Sequence, residues 1–254
     1  MKRRRFVNVH PARGAPGNLL YGIHAVMAWL DAQPSRLRVL RHEPTPSARA
    51  AAAVAAAAAC GVRREVVESR ELAELVGTTR HQGLVAEVAP FPYVPVERVV
   101  GAGAALVVIA DHLQDPHNLG AILRTAEAVG AGGLVIPRDG AVGMTAAAEA
   151  SAAGAAARVP VARVANVARA LEAFKVGGYW TVGLVPEGGV DLYRTDLPDR
   201  VAVVVGGEEG LRPLVARTCD WRVCIPMAGQ GESLNASVAA AVVLYELFRR
   251  RRVP

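Results

Sequence analysis

Apolar positions follow two alternating periods along the chain. Over residues 19–32 they fall at Leu20, Ile23, Val26, Met27 and Leu30, the spacing of one helix face, and the pattern ends before Pro34. Residues 37–40 read as a short strand. An alanine-rich helix follows, capped by Thr45 or Ser47 and stopped at Gly61. Val66 and Val67 predict a strand, 70–76 a helix capped by Ser69, and 84–88 a further strand. Residues 18–88 thus form one small α/β unit. Pro90, Pro92 and Pro95 then predict a stiff linker over 89–103 with little helix or strand potential.

From residue 104 the pattern becomes strand, loop, helix, repeated. The unbroken apolar run 105–110 predicts a strand buried on both faces. Further strands are expected at 134–136, 159–164, 179–185 and 201–205. Helices are expected at 121–129, 145–153 and, capped by Asn166, 167–174. This alternation implies a mostly parallel sheet covered by helices on both faces, with an unknotted doubly wound arrangement as the default. The final stretch, 223–247, begins like a strand, meets Pro226, passes a small-residue turn and opens a helix at Ser233-Leu234-Asn235. That helix is apolar nearly all round and is expected to be buried.

Composition narrows the class. The chain has 254 residues, 52% of them hydrophobic, which supports packed cores rather than disorder. Its net charge of +6 favours a polyanionic partner, and arginine, which supplies nearly all of the positive charge, suits forked phosphate contacts. Cys60, Cys219 and Cys224 are too few and too scattered for a disulfide framework, and no metal site is expected. Residues 1–17 read as a basic, flexible arm. The basic start has no apolar stretch behind it and the longest apolar tract is too short to span a bilayer, so a cytoplasmic protein without membrane contact is expected.

Three loops carry the candidate chemistry, each at the carboxyl end of an expected strand, where open α/β sheets bind ligands. The first holds Asn118 and Arg124. Arg124 lies on an otherwise apolar helix, where it either pairs with Glu127 or Glu149 or holds a phosphate or sugar hydroxyl. The second, Gly206-Gly207-Glu208-Glu209-Gly210, is neither a dinucleotide fingerprint nor a P-loop, which removes a nicotinamide-dependent dehydrogenase from consideration. The third is the stretch around Ile225, Met227, Ser233, Leu234 and Asn235. Asp111, His112 and His117 could act as base and orienter on spacing alone. In the N-terminal unit, Arg80, His81 and Gln82 stand side by side in a polar loop able to reach phosphates and base edges.

Taken in order, these loops resemble the three motifs of the SpoU family of RNA ribose 2′-O-methyltransferases, within the SPOUT group. The first is Asn118-x-Gly120-x-x-x-Arg124-Thr125-Ala126. The second is Val205-Gly206-Gly207-Glu208 with Gly210-Leu211, and the third Ile225-Pro226-Met227 with Ser233-Leu234-Asn235-Ala236-Ser237. Tyr21-Gly22-Ile23-His24 and Arg80-His81-Gln82-Gly83 are similar to the ribosomal-protein-like RNA-binding domain that precedes the catalytic domain in bacterial 23S rRNA (guanosine-2′-O)-methyltransferases. The resemblance implies a small RNA-binding α/β domain followed by an α/β catalytic domain over 104–254 with a deep trefoil knot. It implies S-adenosylmethionine as cofactor, RNA as partner and a homodimer. Gly206, Gly210, Ile225, Met227 and Leu234 would hold the cofactor. Asn118, Arg124, Glu208, Ser233 and Asn235 would surround the ribose, and Arg80, His81 and Gln82 would touch RNA. The second motif is a residue shorter than the family's, so either Glu208 or Glu209 could fill its acidic position; the spacing favours Glu208. Methylation of tRNA or of another rRNA nucleotide, and RNA binding without catalysis, are the competing readings.

Overall fold

Two sheets organise the protein in the computed structural model, which describes residues 18–252. The expected arm at 1–17 lies outside the described residues. In the N-terminal unit, β1 (Leu19–Tyr21), α1 (Ile23–Ala32), β2 (Leu37–His42), α2 (Ala48–Ala59), β3 (Arg63–Val66), α3 (Ser69–Val76) and β4 (Leu84–Val88) follow in order. The sheet order is β1-β4-β2-β3; β4 runs antiparallel to β1 and β2, and β3 parallel to β2. Ala50, Ala53 and Ala57 turn inward from α2, and these small side chains let it lie close on Leu20, Leu40 and Leu84. Ser47 is its cap, accepting from the Ala50 amide at 3.3 Å. The first residues of the expected 19–32 helix are strand instead, because Gly22 at φ 90° breaks the chain direction before α1. Ser69 lies inside α3, with Glu68 in the cap position.

The proline segment is more ordered than its composition suggests. Val94 bridges to Ala162, and α4 (Val96–Val100) buries Val99 completely. Proline at the position before the first helical turn is compatible with helix entry, and valine burial against the sheet supplies the rest.

The larger unit contains β5 (Leu106–Asp111), α5 (Pro116–Ala128), β6 (Leu134–Pro137), α6 (Ala146–Ser151), β7 (Val161–Val164), α7 (Val167–Val176), β8 (Trp180–Leu184), β9 (Val190–Asp191), β10 (Val201–Gly206), α8 (Pro213–Thr218), β11 (Trp221–Cys224) and α9 (Ala236–Arg252). All seven strands are parallel, in the order β7-β6-β5-β10-β8-β11-β9. Alternate residues of β5 feed two cores. Leu106 and Val108 pack with α5, α6 and α9, while Val107 and Ile109 pack with Phe174 and Leu171 of α7. This order sets the carboxyl ends of β5, β10, β8 and β11 side by side. None of the described helices is long and apolar enough to cross a membrane.

One expectation fails in α9. The helix buries Ala240, Val243, Leu244 and Leu247, yet Val238 and Tyr245 are 48% and 51% exposed, so only one face is covered.

The two units are joined by a buried polar contact. Arg36 donates from Nη1 and Nη2 to the Glu149 carboxylate of α6 at 2.6 and 2.8 Å, and Trp29 Nε1 donates to the same group at 2.8 Å. Arg36 also lies 4.1 Å over the Trp29 ring. A buried ion pair tolerates such burial only when its remaining donors and acceptors are met, as they are here.

Candidate active site

The loops after β5, β8, β10 and β11 close around one cavity of about 800 Å³. Asp115 N-caps α5 by accepting from the His117 amide at 2.8 Å, and this puts Asn118, in the first turn, at the cavity wall. Gly120, two residues on, fixes the helix position. A Cβ there would stand 2.4 Å from the Ala148 carbonyl oxygen and 2.5 Å from Ser151 Cβ, so only glycine lets α5 seat on α6.

The loop after β10 is held from both ends. The Gly207 amide donates to the Asp111 carbonyl at 3.0 Å, and the Gly210 amide donates to the Gly207 carbonyl at 3.0 Å, closing a turn with Glu208 and Glu209 at its tip. A Cβ on Gly206 would fall 2.2 Å from the Gly210 carbonyl carbon, so the loop can fold back only on glycine. Gly210 itself sits at φ 78°. Both glutamates are exposed and line the cavity. Beneath the loop, the fully buried Asp111 carboxylate accepts from the Arg212 amide at 3.0 Å, from Nε at 2.9 Å and from Nη2 at 2.6 Å.

The stretch after β11 supplies the opposite wall. Met227 and Leu234 are each 38% exposed, and with Ile225 they offer an apolar lining. Asn235 caps α9: its Oδ1 accepts from Ser237 N at 2.9 Å and Ser237 Oγ at 2.6 Å. With that oxygen occupied, the side-chain amide NH₂ is the group free to meet a ligand, and it can only donate. Ser233 lines the same wall.

The expected residues therefore divide. Gly206, Gly210, Ile225, Met227, Leu234, Asn118, Glu208, Ser233 and Asn235 line one cavity. Arg124 does not. It is exposed on α5, about 120° round the helix axis from Asn118. Neither acid considered for it is available, since Glu127 pairs with Arg158 and Glu149 with Arg36. In the polar loop, His81 is buried with Nδ1 accepting from the Gly83 amide at 3.1 Å, and Gln82 Oε1 accepts from Ile23 N at 2.8 Å. Their side chains shape the turn; Arg80 is left exposed. The Asp111, His112 and His117 grouping does not assemble, because Asp111 is committed to Arg212 and His117 Nδ1 is 2.8 Å from Ser151 Oγ. Burial pushes the Cys219 thiol up to about 12, so no thiolate chemistry arises behind this site.

Sequence reasoning missed three features. Asp115 lines the cavity, as does the loop Leu184-Val185-Pro186-Glu187 after β8. The latter carries the same signal as its neighbours, a buried strand running into a loop with Gly188-Gly189. The Asp111–Arg212 tie spans 101 residues and has no local signature.

A sequence model of the SpoU rRNA Methylase family matches residues 105–245. The chain belongs to that family. A second model, described as RNA 2′-O ribose methyltransferase substrate binding, matches residues 19–94. An uncharacterized tRNA/rRNA methyltransferase of Synechocystis is 41% identical over 245 residues, 92% of this chain; the chain spans 63% of that protein's length. The 23S rRNA (guanosine-2′-O-)-methyltransferase RlmB of Ralstonia nicotianae is 40% identical over 240 residues, 92% of this chain and 96% of that protein. Among solved structures, the SpoU methyltransferase AviRb of Streptomyces viridochromogenes in complex with AdoMet superposes with a TM-score of 0.75 at 26% identity, covering 92% of this chain and 90% of that one.

Proposed function

We propose that this SpoU-family enzyme transfers a methyl group from S-adenosylmethionine to a ribose 2′-hydroxyl of RNA, with a guanosine of 23S rRNA as the target. The observation that carries this is the convergence of four strand-end loops on one cavity whose walls differ in kind. Ile225, Met227 and Leu234 give apolar surface for an adenine and a thioether chain, and the close-folded glycine loop exposes backbone groups beside them. A molecule part apolar and part polar fits such a lining. The relative from Ralstonia supports rRNA guanosine as the substrate, and AviRb supports the cofactor.

When bound, the cofactor supplies an electrophilic methyl group on a sulfonium. The 2′-oxygen forms a bond to that carbon, the carbon–sulfur bond breaks with its electron pair kept by sulfur, and the hydroxyl proton leaves to solvent or a substrate phosphate. The protein's part is orientation and charge. The Asn235 amide donates toward the developing alkoxide, Asn118 and Ser233 position the ribose, and Glu208 fills the acidic position of the second motif. A guanidinium is too poor a proton acceptor at neutral pH to be a free base, so Arg124 stabilises negative charge.

Arg124 reaches this chemistry from a second copy of the chain. Its exposure outside its own cavity, and the uncovered Val238 and Tyr245 face of α9 next to α5, support a homodimer that completes the site. The convergence of the 184–187, 206–211 and 225–235 loops supports a C-terminal segment threaded as a trefoil knot. Pulling the two ends with optical tweezers should then give a contour length shorter than that of an unknotted chain; full extension would remove the knot from this reading. Arg80 is the RNA contact of the substrate-binding unit.

The primary test is transfer of labelled methyl from S-adenosylmethionine to unmodified 23S rRNA, 16S rRNA and tRNA. Label at a 23S ribose, lost at least ~100-fold in Arg124→Ala with cofactor affinity retained, is the expected result. Label only on tRNA or 16S rRNA would overturn the substrate, and no label despite cofactor binding would overturn the activity.

A further inference from the structure

We propose that Arg138 and Arg163 form a phosphate-binding pair that holds the RNA backbone between the substrate-binding unit and the methyl-transfer cavity. This rests on the RNA-methyltransferase reading and adds a defined surface to it. Both arginines are exposed, and neither forms an ion pair among the described residues, although Asp139 follows Arg138 directly. They stand at the carboxyl ends of adjacent strands, β6 and β7, on the same sheet edge as the cofactor cavity.

The Arg163 side chain is held in advance, beside the Arg138 backbone. Arg163 Nη2 donates to the Arg138 carbonyl at 2.6 Å, and its guanidinium carbon lies 5.0 Å from the centre of the Tyr93 ring. The Tyr93 hydroxyl accepts from the Met144 amide at 2.8 Å, and its ring packs 4.9 Å from Phe91, which meets Trp29 edge-on at 5.9 Å. A long, flexible side chain normally loses rotamer freedom when it grips a phosphate; stacking here has already removed much of it. One carbonyl satisfies one of the five guanidinium donors, leaving a fork able to meet phosphate oxygens.

Position gives the pair its role. Tyr21, beside which Arg80 carries its charge, packs on Ala146 and Ala150 of α6. Met144, two residues before that helix, holds Tyr93, and Tyr93 holds Arg163. On the other side, the Gly140 carbonyl accepts from Gln114 Nε2 at 2.8 Å, next to Asp115 at the cavity wall. These contacts link α6, on which the substrate-binding unit packs, to the two arginines and to the loop that enters the cavity wall, and RNA bound to both units would meet the arginines between them. Their charge neutralises phosphates without reading bases.

The test is RNA affinity as a function of salt, with methyl transfer and cofactor affinity measured on the same proteins. In the Arg138→Gln/Arg163→Gln variant, the slope of log K against log salt should fall by about one to two. KM for RNA should rise roughly tenfold with kcat little changed, cofactor affinity should be that of the wild type, and lysine at both positions should restore part of the slope. Unchanged salt slope and KM in a wild-type background that methylates RNA would overturn the pair. A wild type that binds RNA with an arginine-dependent slope but transfers no methyl would instead overturn the catalytic reading and leave the pair standing.

Discussion

At the residue scale the site is economical, because single side chains serve structure and chemistry through different atoms. Asn235 is the clearest case: its oxygen caps α9, and its nitrogen is the donor that the proposed function assigns to the substrate. Aspartate caps helices about as well as asparagine but has no donor and adds a negative charge where an alkoxide develops. Asn235→Asp should therefore keep the wild-type melting temperature and lose methyl transfer by roughly 100-fold or more. Asn235→Ala should lose both, with about 1 kcal/mol of stability gone with the cap. Parallel thermal melts and single-turnover assays separate the two roles; wild-type methyl transfer in Asn235→Asp would mean that the cap is all Asn235 provides.

At the element scale, the Arg36–Glu149–Trp29 contact joins the two units alongside the apolar packing of α6 on Tyr21, Leu72 and Val85, and the way it is buried makes its removal costly. Glu149→Ala leaves the buried Arg36 guanidinium with only the Ala89 carbonyl and the Trp29 indole N–H with no acceptor, so urea melts should show a loss of about 3–5 kcal/mol. Pairing Glu149→Gln with Arg36→Met keeps an acceptor for Trp29 and removes the stranded charge, and should recover most of that loss. A second anchor lies at the end of α9. Arg249 and Arg250 hydrogen-bond to the Glu246 carboxylate and hold it down to about 2. Because its folded value lies below the unfolded one, this carboxylate stabilises the fold above the ordinary glutamate range, and the gain disappears as pH falls toward 2. Glu246→Gln should melt below the wild type at pH 7, with the gap closing on acidification through pH 4; a gap independent of pH would refute the ionic origin. Local chemistry made several elements legible from sequence. Asn166 caps the helix expected of it and Ser47, one of two candidates, caps α2, because a cap involves residues three apart, while Thr145, expected inside its helix, is the cap of α6. Three of the four site loops were legible for the same reason, each being a strand end followed by glycine or polar residues; the loop after β8 has the same pattern and was passed over. The Arg36–Glu149 and Asp111–Arg212 ties were not, since their partners lie 113 and 101 residues apart and nothing in either local pattern names the other. Helix α4 was hidden by prolines that stop just before it.

At the scale of the whole molecule, the role proposed for Arg124 has to be reconciled with its place outside the cavity lining. The apolar composition of α9 predicted burial, yet the helix leaves Val238 and Tyr245 uncovered. Both facts have one explanation if two copies pack through this face and each lends Arg124 to the other's site. Subunit complementation tests this directly. Asn118→Ala and Arg124→Ala proteins should each be inactive alone. If each site takes Asn118 from one chain and Arg124 from its partner, a mixed dimer has one site with both residues intact and one lacking both. Random exchange of equal amounts makes about half of the dimers mixed, so about a quarter of wild-type activity should return. Tyr245→Glu, placed on a half-exposed position, should block that recovery by preventing dimerisation while leaving cofactor binding in place. Were both residues drawn from the same chain, every site in the mixture would lack one of them, and activity would stay at background whatever the oligomeric state.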